Sequence, residues 1–237
     1  MAKNTREEWK VYKNVFSEFS LRNIFKLSTE GHFKELVSPI QMGKEANVFT
    51  AITKDDRYVI VKIYRLENCN FNKMFEYIAS DPRYSRLKKQ KRAIVFAWTQ
   101  REFKNLMIAR EGIRVPTPIT FKDNILVMEM IGDPAPMLKD ARPKDPEKFL
   151  KKVFENMYKL KKTGLVHGDL SEFNILNQEE EPVFIDFSQT TYAASFNSTA
   201  LFDRDMGNIK RFFRKMLSEE TIETILSDIQ SKFKKQI

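Results

Sequence analysis

Two short stretches constrain this chain more than any others: HGDLSEFN, from His167 to Asn174, and VFIDF, from Val183 to Phe187. Asp169, Asn174 and Asp186 stand there among apolar neighbours, where an unpaired polar group is costly to bury. They need a common partner. Leu165 and Val166 lead into the first stretch, Ile175 and Leu176 leave it, and a β-rich run ends at Asp186. The pattern predicts a hairpin with the three polar side chains at one end, an oxygen-rich group suited to Mg2+ carrying a nucleotide phosphate. A plain hairpin with polar turn residues explains one such side chain more easily than three at this spacing. His167 reads as a scaffold residue hydrogen-bonded to backbone.

Composition narrows the setting. At 237 residues, 42% hydrophobic and 31% charged, the chain suits one large globular domain or two lobes sharing a cleft. No apolar run is long enough to cross a bilayer and the N-terminus lacks a signal-peptide pattern, so the expectation is a cytoplasmic protein without a membrane partner. The single cysteine, Cys69, excludes an internal disulfide and a cysteine-cluster zinc site, and the two histidines leave little for other transition metals. Any metal is held by oxygen. The net charge of +9 favours an acidic partner such as nucleic acid, although a lysine-rich surface also serves solubility alone.

Along the chain, Thr5 to Leu27 is amphipathic and helical, with Trp9, Tyr12, Phe16 and Phe19 or Ser20 at helical spacing. A second short helix is predicted from Thr29 to Val37, capped by Ser28 or Thr29. Three alternating strands follow between Ser38 and Arg65, broken at Gly43 and at the turn from Lys54 to Asp56. Lys62, in VIVKIY, puts a cation on a strand otherwise fit for burial: it either snorkels from an edge or meets a carboxylate. A helix from Arg92 to Arg110 offers one, because Glu102 falls on the apolar stripe of Val95, Trp98, Leu106 and Ala109. The polar segment from Leu66 to Lys91 shows no clear period and is predicted to be a mobile loop, phosphorylatable at Ser80 or Ser85.

A second hairpin, Ile119 to Phe121 and Ile125 to Met130 around Lys122, Asp123 and Asn124, runs into Gly132, Pro134 and Pro136. That edge is either a hinge whose backbone at Glu129 and Ile131 pairs with adenine or an ordinary linker. Asp145 caps and Pro146 opens a helix running to Gly164. Beyond Asp186 a helix near Asp203 to Met216 and another from Ser218 complete the chain, the last with Ile222, Ile225, Leu226, Ile229 and Phe233 on its packing face and a basic end at Lys232, Lys234 and Lys235.

The Asp followed five positions later by an Asn, with an Asp-Phe further on, is similar to the protein-kinase catalytic loop. Taken with GKEANVF, WTQREFKNL, VMEMIG, PAPMLKD, IDFSQ and DRDMGNIKRFF, the chain resembles the RIO family of atypical protein kinases from about Thr29 to Leu217. PAPMLKD and HGDLSEFN resemble its type-one branch, in a minimal form like the archaeal members, and the absence of a winged-helix segment argues against the type-two branch. The resemblance implies an α+β, bilobal kinase-like fold: a helical extension over 1–28, a small β-rich N-lobe over 29–131 with the Glu102 helix and the loop 66–91, and a reduced helical C-lobe over 132–237.

It further implies that Asp169 is the catalytic aspartate, that Asn174 and Asp186 bind Mg2+, and that Lys62 holds ATP phosphates while Glu102 holds Lys62. Gly43, Lys44, Ala46, Asn47 and Val48 would cover the triphosphate, the backbone of Glu129 and Ile131 would receive adenine, and Ile40 and Pro136 would complete the nucleotide site. Asp186 is also implicated as a phosphoryl acceptor, and the partner implied is a small ribosomal subunit precursor, rRNA and ribosomal proteins together. The expected activity is that of an ATP- and Mg2+-dependent Ser/Thr kinase and ATPase able to autophosphorylate. Gly168 replaces the Arg that reads a phosphorylated activation loop, Ser171 replaces a phosphate-steadying Lys, for which Lys44 is the expected substitute, and Ser188 replaces the Gly of DFG. Two other classes share parts of this pattern: a small-molecule phosphotransferase of the aminoglycoside or choline type, and a non-catalytic RNA-binding assembly factor gated by nucleotide.

Overall fold

The computed structural model describes residues 16–67, 69–79 and 81–234. Trp9, Tyr12, Ser80 and Lys235, each singled out in the sequence, lie outside the described residues. The chain divides into two compact units, residues 1–103 with 118–130 and residues 104–117 with 131–237. The division after Met130 falls one residue before the expected boundary, and the segment 104–117 belongs to the second unit although it precedes two strands of the first.

Among the described residues the first unit begins with helix α1 (Glu18–Thr29), capped by Ser17, whose side chain accepts from Ser20 N. The predicted second helix over Thr29 to Val37 does not form. Gly31, at φ +89°, ends α1 by turning its amide onto Ser28 O, and the chain enters strand β1 (Glu35–Met42). Strands β2 (Ala46–Ile52) and β3 (Tyr58–Tyr64) follow, the latter buried on both faces from Val61 to Tyr64. Strands β4 (Pro118–Lys122) and β5 (Ile125–Glu129) form the expected hairpin, with Asp123 in the left-handed region at φ +51°. The five strands pair antiparallel in the order β1-β2-β3-β5-β4. One sheet face meets α1, burying Ile24, Leu27, Phe49, Ala51, Val61, Ile63 and Val127 in one cluster.

The segment from Leu66 to Lys91 is not a loop without structure. It contains helix α2 (Phe71–Ala79) and a 3-10 turn (Pro82–Tyr84) before helix α3 (Lys91–Ala109). Met74 and Ile78 bury against Tyr64, Ile94, Val95 and Trp98, with Phe71, Phe75 and Leu87 packed around them. The reason is an i, i+3, i+4, i+7 set, Phe71, Met74, Phe75 and Ile78, hidden among Asn, Lys and Glu. Asp81 locks the segment down: its buried carboxylate takes Arg83 at 2.6 Å and Arg101 of α3 at 3.1 Å. Burial alone pushes the Asp81 carboxyl up, but hydrogen bonds and charge from Arg83, with Arg101 behind, outweigh it and hold it below its ordinary value.

In the second unit, helix α4 (Pro146–Lys162) is capped by the Asp145 side chain on Lys148 N. Its stripe of Phe149, Leu150, Val153, Phe154, Met157 and Leu160 is fully buried. Helix α5 (Ser198–Phe213) starts five residues before the expected Asp203, and helix α6 (Glu219–Lys234) contributes Ile222, Leu226, Ile229 and Phe233. Strands β6 (Leu165–Val166) and β9 (Thr191–Tyr192) pair with each other, and β7 (Ile175–Gln178) pairs with β8 (Glu181–Phe184) across a turn with Glu179 and Glu180 at positive φ. No helix among the described residues is long and apolar enough to cross a membrane.

Candidate functional site

In the first unit, strand alternation sends Val61 and Ile63 into the α1 cluster and Lys62 and Tyr64 to the other face. Lys62 Nζ lies 2.8 Å from Glu102 Oε1, with Glu102 fully buried and Lys62 nearly so. The Tyr64 hydroxyl donates to the second oxygen of Glu102, and Lys62 Nζ sits 5.1 Å over the Tyr64 ring. A carboxylate in an apolar environment therefore has a cation and a hydroxyl, which satisfies both of its oxygens. The backbone of Tyr64 is fixed in turn by Asn124, whose O accepts from Tyr64 N at 2.8 Å and whose Nδ2 donates to Tyr64 O at 2.8 Å and Ser20 Oγ of α1 at 2.9 Å.

Val48 pairs directly across from Lys62 and Ala46 from Tyr64, so both share the lysine's face. Asn47 does not. It pairs across from Ile63, is buried on the opposite face, and its Oδ1 accepts from Arg65 Nη2 at 3.2 Å. Its side chain thus lies on the α1 side of the sheet, as the two-residue period of a strand requires. Of the segment 43–48, residues 46–48 are strand, and Gly43, Lys44 and Glu45 turn between β1 and β2. Gly43 N donates to Ala46 O at 3.0 Å, and a Cβ at Gly43 would lie 2.8 Å from that oxygen, which is why glycine stands there. Lys44 is exposed at the tip, and Ile40 is exposed at a bulge between Pro39 and Gln41. Glu129 closes β5 opposite Val59.

In the second unit, Ile131 O accepts from Ala135 N at 2.7 Å in a turn with Gly132 at φ +63°. Pro136 is exposed and its carbonyl accepts from Asn177 N at 2.9 Å. The β7-β8 hairpin brings the metal-binding candidates to one end, where Ile185 N donates to Asn174 O at 3.0 Å. Asn174 Nδ2 donates to Asp169 O at 2.8 Å, which leaves the acceptor atom Oδ1 outside that bond. Asp186 is held at φ +61°, a conformation that costs a residue with a side chain about 1–2 kcal/mol. His167 Nε2 contacts Ile185 O at 3.0 Å, and the ring packs edge-on against Phe187 at 4.9 Å, in keeping with a scaffold role.

The donor set fits magnesium. Asn174 and Asp186 offer hard oxygens, and among the described residues no three His, Cys, Asp or Glu side chains gather into a closed cage. Mg2+ is commonly held in this way, by one or two protein oxygens with phosphate and water completing the octahedron.

Residues 47–225 match the RIO domain family, which is more than half of the chain. The chain belongs to the RIO family. It is 43% identical over 213 residues to the RIO-type serine/threonine-protein kinase Rio1 of Methanocaldococcus jannaschii and 40% identical over 213 residues to that of Haloferax volcanii, in each case covering 88% of this chain and 73% of the relative. Among solved structures, the Rio2 kinase of Chaetomium thermophilum in an ADP/Mg2+-phosphoaspartate complex is 25% identical with a TM-score of 0.66, covering 86% of this chain and 64% of that one. This RIO chain is accordingly a serine/threonine kinase with the α+β kinase-like fold.

Three residues that hold the segments around Asp169 and Asp186 were not singled out in the sequence. Asp205 of α5, buried, accepts from Gly168 N at 2.7 Å and Leu170 N at 2.9 Å, gripping the backbone on both sides of Asp169. Burial pushes its carboxyl up to about 7, against those two amide donors and the Arg204 charge. Gln189 Nε2 donates to Asp169 Oδ2 at 2.9 Å and orients the carboxylate itself. Asn105, at the end of α3 that lies in the second unit, donates to Phe187 O at 3.0 Å and Thr190 O at 3.2 Å, fixing the turn after Asp186. The one available signal was a polar residue on the buried stripe of a helix: Asn105 adjoins Leu106, and Asp205 adjoins Met206.

Proposed function

We propose that this RIO kinase uses ATP and Mg2+, with Asp169 orienting the attacking hydroxyl or water, Asn174 and Asp186 holding the metal, and Lys62 holding phosphate oxygens. The observation that carries this reading is the oxygen pair at the open end of the β7-β8 hairpin, tied together through Ile185 N and Asn174 O. Bound Mg2+ supplies charge neutralisation for the phosphates. Gln189 and Asp205 keep Asp169 in place, while the buried Glu102 and the Tyr64 hydroxyl keep Lys62 directed.

The ADP/Mg2+-phosphoaspartate complex of the Chaetomium relative supports a further step for this chain. An Asp186 carboxylate oxygen bonds to the γ-phosphorus as the bond to the bridging oxygen of ADP breaks; water then hydrolyses the acyl phosphate. The kinase also autophosphorylates on Ser or Thr, acts in the cytoplasm, and serves maturation of the small ribosomal subunit, meeting rRNA and ribosomal proteins; the excess of basic residues supports such a partner. Membership in the protein-kinase family RIO sets aside the small-molecule phosphotransferase alternative.

Asp169→Ala is expected to lower ATP turnover by about a thousandfold while nucleotide binding persists, as for loss of a positioned acid–base group. Turnover assays, calorimetric ATP titration with and without Mg2+, and mass spectrometry after incubation with ATP check the three parts. Full turnover by Asp169→Ala removes the assignment.

A further inference from the structure

Between Asp81 and Glu102 the chain carries no acidic residue but seven cations. Arg83 and Arg101 are neutralised by Asp81. The other five, Arg86, Lys88, Lys89, Lys91 and Arg92, are all exposed, and among the described residues none of them pairs with a carboxylate. They fall within seven consecutive positions, on the turn ahead of α3 and its first helical turn.

This placement works against the fold. The first turn of α3 contains no acid and carries Lys91 and Arg92 at the positive end of the helix dipole, where a cation is disfavoured. Five like charges in close sequence repel one another as well. A solvated face for solubility could be built by spreading these charges. An arrangement that concentrates them at a helix N-terminus is relieved by a polyanion.

The aromatic residues beneath them narrow the choice of polyanion. Lys89 lies over the Phe75 ring at 5.3 Å, Lys91 over Phe71 at 5.3 Å and Arg92 over Phe19 at 5.2 Å; Phe19 stacks on Phe96 at 5.5 Å. Phe71, Phe75, Phe19 and Phe96 are all part-exposed. Alternating cations and ring faces suit unpaired nucleotides, whose phosphates take the charges and whose bases stack, whereas an acidic peptide would use the cations alone. From this geometry we infer that the basic turn and α2 form a docking face for single-stranded RNA. The choice of RNA over DNA rests on the proposed role in ribosome maturation.

The test is fluorescence anisotropy of the full chain with a labelled oligouridylate, in about 50 to 200 mM salt. If the five cations each meet a phosphate, the slope of log affinity on log salt is about −3.5 and affinity falls about a hundredfold over that range. The triple variant Arg86→Gln, Lys88→Gln, Lys89→Gln is expected to flatten the slope by about 2. Phe75→Leu is expected to weaken binding with the slope unchanged. ATP turnover of both variants is expected to match the parent, since none of these side chains belongs to the Lys62 or Asp169 groups. An unchanged slope in the triple variant, equal competition by polyglutamate, equal or tighter binding of a deoxy-oligonucleotide, or no binding at 50 mM salt each overturns the proposal. ATP turnover is read separately, so failure of the RNA face and failure of the kinase chemistry give different results.

Discussion

The two units hold their functional groups by different means. In the first, Lys62 is set by side chains: a buried Glu102, the Tyr64 hydroxyl and the Tyr64 ring, with Asn124 behind them. In the second, Asp169, Asn174 and Asp186 are set largely through backbone, with Asp205 on the Gly168 and Leu170 amides and Asn105 on the Phe187 and Thr190 carbonyls. A long ammonium side chain has many rotamers and must be trapped at its head, whereas short carboxylates and amides go where their backbone goes. The first arrangement is vulnerable to loss of charge balance and the second to loss of backbone partners.

Substitutions can break that contrast. Lys62→Met strands the Glu102 carboxylate in an apolar site, and removal of one partner of a buried pair costs about 3–5 kcal/mol. For a chain of this size that is a fall in melting temperature of about 6–20 °C. Adding Glu102→Leu is expected to recover most of the stability and none of the activity. Differential scanning calorimetry of the two variants checks this, and an additive pair of losses would contradict charge balance as the cause.

A smaller effect is expected in the second unit. Asp205→Asn replaces one of two backbone acceptors by a donor, at about 1–3 kcal/mol. Its pH dependence is the sharper test. Because burial raises the folded value to about 7 from 3.8, the native chain keeps a proton that the unfolded chain has released in that window. The contribution of this group to stability is therefore full below 3.8, declines as pH rises towards about 7 and is level above it. Denaturant titrations across that range should show the decline in the parent and its absence in Asp205→Asn.

Tyr64→Phe is expected to have the least effect, about 1 kcal/mol of stability, since Lys62 still balances the charge. If the hydroxyl aims the pair rather than merely filling space, KM for ATP rises a few fold with kcat nearly unchanged. Equal changes in both would mark Tyr64 as structural only.

Much of this was legible in residue order. The β2, β3 and β4-β5 strands, the Asp145-capped helix and the partnership of Lys62 with Glu102 all follow from alternation, helical spacing and capping chemistry. What was not legible depended on long-range partners. The segment 66–91 looked structureless because its apolar period is diluted by polar residues and its anchor, Asp81, finds Arg101 twenty positions away. The face on which the Asn47 side chain lies was set only by the register, which puts it opposite Ile63. Asp205 and Asn105 lie inside the motifs DRDMGNIKRFF and WTQREFKNL, but nothing local told their partners, because those lie on another segment's backbone.

Gly168 has a consequence for how such a kinase could ever be brought under a new master. Its φ of +78° and the Gln189 carbonyl 3.0 Å from where a Cβ would stand leave little tolerance for a larger residue. An arginine able to read a phosphorylated segment cannot be installed there by one substitution; the loop would have to be rebuilt first. Control by a partner that seats or withdraws the whole protein is the evolutionary route that remains open.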